Sequence, residues 1–463
     1  MPLPTFDPED PSSNEVDQER KKKHMDVDYS EQTDQTISSA NQAIEKGGIS
    51  ALKQALEPVL ALEKTVRLAE DYENLSKVLV NIVAMCAKVQ AWDELNDQLT
   101  LLAKKRSQSR GAIQKMIQEA MKYIDLTPSK ERKIELINTI RKITEGKIFV
   151  ELEGARVTRM LAKIREEEGN ISEAASLLQD VQVETINSMA IREKIDFILE
   201  SIRLCLEKQD YVRAVIVSKK ITKKSISEED HQDLKIRYYE LMIRFYSQKK
   251  HYLDIFRSYQ QIFTTPIIQA NDDEWMRILQ HMVLYIVLAE YGNEQHDLMH
   301  RTFEEKKLEE PKLQPFRMLL KQFVSRGVIN WPQFEAQFGA IIKNHPIFTK
   351  SPETYADLRS RVVEKNIRTI AQFYSRIETK RISELLYLNE DEVEGFISRM
   401  VTNKTINAKM DRLQGVIVFK QVQNGEDNDV LNSWAHDIVK LLQLVEKSNH
   451  LINKEYMIQN ARQ

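Results

Sequence analysis

Two histidines four residues apart, His296 and His300, have the best spacing in this sequence for holding a metal ion. On a helix this spacing places both side chains on one face, where they could bind Zn²⁺ as they do in His-Glu-x-x-His hydrolases. Asp297 stands where those enzymes have the glutamate that acts as general base, and its side chain is one methylene shorter. The sequence nearby offers no evident third ligand. We therefore expect a polar helix face here and not a zinc hydrolase.

Other signatures of catalysis or cofactor binding also fail. Gly146-Lys147 resembles the end of a phosphate-binding loop, but Arg141 stands where that loop needs a glycine. The sequence contains no Gly-x-Gly-x-x-Gly, Gly-x-Ser-x-Gly, Cys-x-x-Cys or His-x-His motif. Its two cysteines, Cys86 and Cys205, lie in apolar helical patterns, so we expect small buried side chains in a reducing compartment. The sequence predicts neither an enzyme nor a cofactor.

The composition predicts a mostly α-helical protein of two or three structural units. The chain has 463 residues but only 12 glycines and 12 prolines, and its charged residues nearly balance at a net charge of −3. This balance gives no general attraction to nucleic acid or to an anionic membrane. The longest apolar run, Met282 to Ala289, is far shorter than the ~20 residues that cross a bilayer. We also expect no signal peptide, because the N-terminus has no apolar segment.

The first 35 residues have the composition of a disordered tail, with four prolines and few large apolar side chains. They contain the basic run Arg20-Lys-Lys-Lys23. This run could serve as a nuclear import signal or bind an anion, but acidic residues surround it, which favours a solvated charge run.

Residues 36–343 are predicted to form a helical-repeat solenoid, because one local pattern recurs from Ile44 to about residue 330: a polar turn, a large apolar residue, and an apolar or small residue three positions later. The large residues are Ile49, Trp92, Ile171, Tyr211 and Tyr252. They follow one another at about 40 residues or, in one case, at about twice that, which predicts a degenerate copy near Pro128 to Ile140. This period is typical of TPR-like helix-pair repeats that stack into a solenoid. Such a solenoid offers a large surface to protein partners.

A linker over residues 344–355 is predicted by Pro346 and Pro352. Residues 356–423 then have the layout of a winged helix. Helical spacing continues through Val363, Ile367, Ile370 and Tyr374; two short helices follow, Arg381 to Leu388 and Glu390 to Val401; and a period of two from Ile406 predicts a hairpin with Val416 to Phe419 as its return strand.

A winged helix either binds DNA or joins proteins, and the charges here favour the second role. The third helix carries Glu390, Asp391, Glu392 and Glu394 against the single Arg399, so a phosphate backbone would repel it. We expect the hairpin to pair or pack against a second winged helix at its free edge. The side chains expected at this contact are Ile406, Ala408, Met410, Val416 and Val418.

The last predicted element is a long helix over residues 429–463. Its apolar residues step by three and four, as in the seam of a coiled coil, which needs a partner helix. The seam residues expected to contact a partner are Leu431, Trp434, Ile438, Leu441, Val445 and Ile452. The alternative is that this helix folds back on its own winged helix.

Six short strings carry a resemblance to a known family. They are Lys104-Lys-Arg-Ser-Gln108, Thr144-Glu-Gly-Lys-Ile148, Gln182-Val-Glu-Thr185, Arg361-Val-Val-Glu364, Asn403-Lys-Thr-Ile406 and Asp411-Arg-Leu413. With the order solenoid, winged helix and terminal helix, they make the chain resemble the PCI-domain proteins. These proteins build the proteasome lid, the COP9 signalosome and translation initiation factor three. From about Met25 onward the chain looks most like a subunit of the 26S proteasome lid.

This resemblance implies a non-catalytic scaffold of the regulatory particle that supports ubiquitin-dependent protein degradation in the cytoplasm and nucleus. It implies a hetero-oligomer whose partners are other PCI subunits of the lid, the lid deubiquitinase subunit, the ATPase ring and the core particle. Residues 361–420 would form the lateral junction between winged helices, and residues 430–460 would join a helix bundle. The solenoid would be the arm that reaches other partners.

Two further functions remain open at this point. The chain could be a PCI subunit of a signalosome or of a translation initiation complex, which co-purifying partners would distinguish. It could also be a nucleic-acid-binding regulator that uses its winged helix, which salt-dependent binding of DNA or RNA would reveal.

Overall fold

The computed structural model describes residues 29–226, 231–351, 353–419 and 425–462. The chain divides into two compact units, residues 1–225 and 226–463. The predicted solenoid of residues 36–343 is therefore split between the two units. Residues 1–28, with the basic run Arg20 to Lys23, lie outside the described residues. The first helix begins at Ser30, so the predicted tail ends earlier than residue 35.

Among the described residues, nine α-helices and three short 3₁₀ segments lie in the N-terminal unit, and a tenth α-helix ends one residue beyond it. The α-helices are α1 Ser30–Leu68, α2 Tyr72–Lys88, α3 Trp92–Lys104, α4 Arg110–Lys122, α5 Lys130–Thr144, α6 Glu151–Glu167, α7 Ile171–Gln179, α8 Ile191–Glu207, α9 Tyr211–Ser218 and α10 Lys223–Ile226, and the 3₁₀ segments are Ile124–Leu126, Ile148–Val150 and Val183–Thr185. Their apolar faces form a core that runs from Ala40 to Leu161 and a smaller one from Ala155 to Leu204. Each helix pair buries the apolar face of the next, as in stacked repeats.

The helix pairs share one turn geometry. In each turn a residue with positive φ stands two positions before the next helix, and the amide that follows it donates to a carbonyl five residues earlier, which closes the preceding helix. The positive-φ residues of these turns are Glu70, Gln90, Gly169, Gln209 and Lys250. The recurring large apolar residues Trp92, Ile171, Tyr211 and Tyr252 each follow such a turn and are the first residue of the next helix. The same turn before Tyr72 was not predicted.

Ile49 does not start a helix, so the first predicted repeat is wrong. Residues 30–68 form one helix, although it contains Gly47 and Gly48. A glycine inside a helix costs about 1 kcal/mol relative to alanine. The helix continues because its buried stripe, Ala40 and Ile44, resumes at Leu52 and packs into the same core. The degenerate copy predicted near Pro128 to Ile140 corresponds to α5, which Ser129 caps.

A buried carboxylate joins α1 to the turn that follows α3. The Glu63 side chain is completely buried. It accepts hydrogen bonds from Arg67 at 3.1 Å, Lys105 at 2.8 Å and Gln108 at 2.8 Å. Arg67 also donates to the carbonyl oxygen of Arg106 at 2.8 Å. The string Lys104 to Gln108, which carried part of the resemblance, therefore supplies two of the three side chains that donate to the Glu63 carboxylate.

The C-terminal unit begins with eight α-helices among the described residues. They are α11 Gln232–Lys249, α12 Tyr252–Phe263, α13 Pro266–Gln269, α14 Asp272–Leu288, α15 Asn293–Glu304, α16 Gln314–Val324, α17 Trp331–Lys343 and α18 Pro346–Lys350, with 3₁₀ segments at Lys306–Glu309 and Pro311–Leu313. Helix α14 lies at the centre of their core, and ten of its side chains are buried.

The predicted linker over residues 344–355 is wrong. Pro346 begins the short helix α18, because a proline at the first helical position lacks only an amide that would have no helical partner. Ile347 and Phe348 are buried in the same core as α14. The next helix, α19 Glu353–Phe373, begins within the predicted linker and carries on into the winged helix.

The winged helix is confirmed as three helices and a hairpin, with one additional strand. Its elements after α19 are β1 Arg376–Glu378, α20 Thr379–Leu386, α21 Glu390–Thr402, β2 Ala408–Asp411 and β3 Val416–Phe419. Val363, Ile367 and Ile370 join its core, whereas Tyr374 lies beyond the end of α19 and is exposed. The three strands form an antiparallel sheet in the order β1-β3-β2.

The last helix, α22, runs from Gly425 to Arg462 and is about 57 Å long. It starts four residues before the predicted start at 429. The part of the chain that the structure describes includes no helix long and apolar enough to cross a membrane. The predicted fold class, an α-helical repeat array followed by a winged helix and a long terminal helix, is confirmed.

Candidate protein-interaction surfaces

The wing sheet has an inner face that builds the core and an outer face that is open. Ile417 and Phe419 of β3 are buried, and their neighbours Met410 and Ala408 on β2 pack against the same core. Ile406 is buried as well, at 7% exposure. Its predicted place on a contact surface is therefore corrected to a place in the core, and Ala408 and Met410 are half-buried.

The outer face of the sheet, which we call the wing face, carries an ordered charge pattern. Val418 is 42% exposed and lies between its strand neighbours Arg376 and Lys409. Val416 lies between Glu378 and Asp411. The wing face therefore presents one basic row and one acidic row, each with a valine at its centre. Of the five hairpin residues predicted as contacts, only Val416 and Val418 lie on this face.

One of the two outer edges of the predicted hairpin is not free, because β1 pairs with it. Strand β3 pairs with β1 on one side and β2 on the other, so the backbone at Val418 is enclosed. Within the described residues β2 pairs with β3 alone, and its other side is open to an added strand. Sequence inspection missed β1 because three residues are too few to display a period of two.

The acidic third helix has its charges where the helix dipole favours them. Glu390, Asp391 and Glu392 occupy the first turn of α21, and the Glu392 carboxylate accepts from the amide of Asn389 at 3.4 Å. Glu394 forms an ion pair with Arg412 of the β2–β3 turn. The acidic surface thus belongs to the helix that nucleic-acid-binding winged helices insert into DNA.

The predicted seam on α22 is exposed along its whole length. The exposed fractions of its side chains, which together we call the C-terminal seam, are 55% for Leu431, 65% for Trp434, 39% for Ile438, 62% for Leu441, 58% for Val445 and 67% for Ile452. A run of exposed apolar side chains on one helix marks an interaction site. The alternative, that α22 folds back and buries this stripe on its own winged helix, does not hold in the structure.

Among the described residues, the hydrogen bonds between α22 and the rest of the C-terminal unit lie near the beginning of the helix. Asn293 and Asn432 exchange amide hydrogen bonds at 3.0 and 2.9 Å, and Arg301 of α15 reaches His436 at 2.6 Å. Removal from water and the positive charge of Arg301 lower the pKa of His436. Sequence reasoning missed these contacts, since isolated polar residues 135 or more positions apart give no local signal.

Sequence reasoning also missed Leu413, which is 99% exposed at the tip of the wing.

The two histidines with metal-ligand spacing face each other but have no third ligand among the described residues. The Nε2 atoms of His296 and His300 lie 3.2 Å apart. Asp297, at the position of the general base in the hydrolase motif, instead forms an ion pair with Arg301 at 2.7 Å. Within the described residues no group of three or more His, Cys, Asp or Glu side chains could hold a metal ion.

Cys86 and Cys205 are buried free thiols, as predicted. Burial raises the pKa of Cys86 to about 12, so its thiol stays protonated and unreactive at neutral pH.

Three family models together match most of the chain. The model described as PSMD12/CSN4, N-terminal, matches residues 54–271, and the PCI domain model matches residues 331–421. A third, the 26S proteasome regulatory subunit RPN5 C-terminal domain, matches residues 428–460, which are most of α22. The PCI match begins at Trp331, the first residue of α17, and so includes the segment that the sequence pattern suggested was a linker.

Full-length relatives decide the family. The 26S proteasome non-ATPase regulatory subunit 12 of Dictyostelium discoideum is 40% identical over 437 residues, which cover 94% of this chain and 96% of the relative. The chain belongs to the family of 26S proteasome non-ATPase regulatory subunit 12. Homolog A of that subunit from Arabidopsis thaliana is 41% identical, over 90% of this chain and 99% of the relative. The 26S proteasome regulatory subunit RPN5 of Saccharomyces cerevisiae is 39% identical, over 87% and 90%.

The family assignment confirms the resemblance to PCI subunits of the proteasome lid. The name of the N-terminal model covers two proteins, so that match alone leaves two kinds of complex open. The match over α22 and the full-length relatives all carry proteasome names. The wing face lies in the segment that the PCI domain model matches. The C-terminal seam lies in the segment that the RPN5 C-terminal domain model matches.

Proposed function

We propose that this chain is a non-catalytic scaffold subunit of the lid of the 26S proteasome regulatory particle. The observation that carries this proposal is the C-terminal seam: six apolar side chains at coiled-coil spacing, each 39% or more exposed, on a helix that needs a partner. The family supplies the complex in which such partners occur. The protein would thereby support ubiquitin-dependent protein degradation, in the cytoplasm and the nucleus.

The partners we propose are the other PCI subunits of the lid, the lid deubiquitinase subunit, the ATPase ring and the core particle. Helices of other subunits would cover the C-terminal seam in a bundle. A neighbouring winged helix would cover the wing face, where its own charges would meet one basic and one acidic row. The helices of the N-terminal unit would provide the surface for the remaining partners.

Point substitutions on α22 test the proposal without removing the helix. Leu441→Asp places a charge in the C-terminal seam, and Gln443→Asp places the same charge two residues away, on a side of the helix that the seam does not use. Both tagged full-length chains would be expressed in cells and purified, and their partners would be identified by mass spectrometry. We expect Leu441→Asp to lose most lid subunits and Gln443→Asp to retain them.

Three other outcomes would contradict the proposed complex or the proposed role of the C-terminal seam. Recovery of a signalosome or an initiation complex in place of proteasome subunits would replace the proposed complex with another one. Retention of every lid subunit by Leu441→Asp would remove the C-terminal seam from the assembly. Binding of DNA or RNA by residues 353–419 at near-physiological salt would support the nucleic-acid function instead.

A second experiment tests the wing face separately. In the unmodified chain a partner on this row faces the two cations Arg376 and Lys409. The double variant Arg376→Glu and Lys409→Glu reverses both charges and would repel that partner. The matched control is Arg381→Glu, an exposed arginine on α20 that lies outside the sheet. We expect the double variant alone to weaken the co-purification of one neighbouring PCI subunit.

A further inference from the structure

One patch in the C-terminal unit joins α22 to α15 through hydrogen bonds between polar side chains. Asn432 and His436 lie one turn apart on α22 and face Asn293 and Arg301 of α15. The two asparagine side chains exchange hydrogen bonds in both directions, so each amide satisfies the other. From Asp437 to Asn460 every residue of α22 is exposed. The patch therefore sets the direction in which the C-terminal seam leaves the unit.

The contact between Arg301 and His436 has a strict protonation requirement. An arginine side chain can only donate hydrogen bonds, and it remains charged at every accessible pH. Its Nη1 lies 2.6 Å from Nδ1 of His436, so that nitrogen has to carry a lone pair and the imidazole has to be neutral. A protonated imidazole would instead set one N–H against another and one positive charge against a second.

We propose that these contacts form a latch between α15 and α22 that is closed while His436 is neutral and opens when His436 takes up a proton. In the closed state the start of α22 is held on α15, and the C-terminal seam points in one direction. In the open state α22 is no longer held on α15, and the C-terminal seam no longer points in one direction. The latch belongs to the isolated chain and does not depend on the proposed function.

The charged groups around His436 account for the direction of the effect. Loss of hydration on docking lowers its pKa most, and Arg301 of α15 and Lys440 of α22 lower it further. Asp297 of α15 and Asp437 of α22 act in the opposite sense and raise it. Asp297 forms an ion pair with Arg301. The positive charge of Arg301 therefore offsets part of the effect of the Asp297 carboxylate on the pKa of His436.

The sign of the pH dependence follows from this lowered pKa. A group whose pKa is lower in the closed state binds protons more readily in the open state, so acid favours opening. The closed latch keeps its full stability above pH ~6.5 and loses it as the pH falls below that value. Between pH 6.5 and pH 5.5 this linkage can weaken the latch by at most about tenfold.

Spin-label distances on the full chain test the latch. Labels at Glu304→Cys, at the end of α15, and Lys454→Cys, far along α22, would report the direction of the helix. The chain's own Cys86 and Cys205 are buried and stay unlabelled in the folded protein. We expect a narrow distance distribution at pH 7.5 and a broad one at pH 5.5, with unchanged helix content by circular dichroism.

Three variants make the test specific. His436→Gln retains an acceptor for Arg301 but cannot be protonated, so its distribution should stay narrow at both pH values. Arg301→Leu removes the donor, and its distribution should be broad at both. His450→Gln, the same change at an exposed position 14 residues further along α22, should leave the response of the unmodified chain intact.

Several outcomes would overturn the latch. A distribution that does not change between pH 7.5 and 5.5 in the unmodified chain would do so. A pH response that persists in His436→Gln, or disappears in His450→Gln, would assign the effect to another group. A narrow distribution in Arg301→Leu would show that the contact with His436 does not hold the helix.

Discussion

At the scale of single residues, buried charge is the feature that sequence patterns hide best. Glu63 lies in a stretch of α1 whose apolar residues predict only a buried helix face. Its three donors come from a position one turn away and from residues about 40 positions along the chain. The string Lys104 to Gln108 was conspicuous as a resemblance, but only the structure shows that it neutralises a carboxylate. No periodicity contains that information.

Replacement of Glu63 by glutamine should destabilise the N-terminal unit. The amide keeps the shape but leaves Arg67 and Lys105 without a counter-charge in a buried setting. Breaking a fully buried pair costs about 3–5 kcal/mol, and the partial exposure of Lys105 reduces our expectation to about 2 kcal/mol. Denaturant unfolding measures the loss. Glu57→Gln, an exposed position on the same helix, is the control and should change the free energy of unfolding by less than about 0.5 kcal/mol.

His345 should make the stability of the C-terminal unit depend on pH. Burial and the neighbouring ring of His281 lower the pKa of His345 to about 4. A histidine whose pKa is lower when folded is protonated more readily when unfolded, so stability is full above pH ~6.5 and falls as the pH drops from there toward 4. We expect the urea midpoint of the C-terminal unit to decrease over that range.

Two substitutions isolate this effect. His345→Asn keeps a side chain that can cap α18 but removes the titration, so the slope of the midpoint against pH should become shallower. His251→Asn changes an exposed histidine that also stands just before a helix, α12, and should leave the slope as it was. Equal slopes in the unmodified chain and His345→Asn would contradict the assignment.

At the scale of elements, the sequence predicted what repeats and missed what occurs once. Trp92, Ile171, Tyr211 and Tyr252 share a turn geometry that places a large apolar side chain at a helix start, so their common spacing was visible. Ile49 imitates the pattern without the turn, because the buried stripe of α1 continues past the two glycines. Strand β1 occurs once and pairs with a strand 40 residues away, a contact that no local pattern records.

A close approach between α5 and α6 makes Gly154 sensitive to substitution. A Cβ atom at this position would lie 3.0 Å from Thr144 Oγ1 and 3.2 Å from Thr144 Cβ. Gly154→Ala should therefore cost about 1–3 kcal/mol, since the two helices have to separate. Gly395→Ala is the matched control: it lies inside α21, with no neighbouring atom within 4 Å of the added carbon, and should stabilise the protein by up to about 1 kcal/mol. Thermal unfolding of both variants measures the change in stability. A loss of stability of the same size in both would contradict the steric argument.

At the scale of the whole molecule, the order of modules was predictable and their boundaries were not. A solenoid, a winged helix and a terminal helix follow from periodicity, composition and a hairpin pattern. The boundary at residue 344 was misplaced, because Pro346 begins a helix whose Ile347 and Phe348 complete the core around α14. The complex itself came from the resemblance, since exposed apolar residues indicate that a partner exists and not which one.

Truncation should separate the role of α22 in folding from its role in assembly. No described residue of α22 belongs to the core around α14 or to the winged-helix core. Among the described residues, a chain that ends at residue 424 loses the polar contacts to α15 and no core side chain, so its free energy of unfolding should fall by no more than about 1 kcal/mol. Co-purification should nevertheless lose the multi-subunit complex. A large loss of stability would mean that α22 helps to fold the unit, and an unchanged partner set would exclude it from assembly.

The exposed C-terminal seam also has a consequence for the cell that makes this protein. A newly synthesised copy that has not met its partners displays a long apolar stripe, which is the kind of surface that chaperones and quality-control proteases bind. If the C-terminal seam is covered as proposed, survival of that copy depends on how fast partner helices reach the stripe. Surplus copies would be cleared, and the amount of this subunit would follow the amount of its scarcest partner without any control of its synthesis.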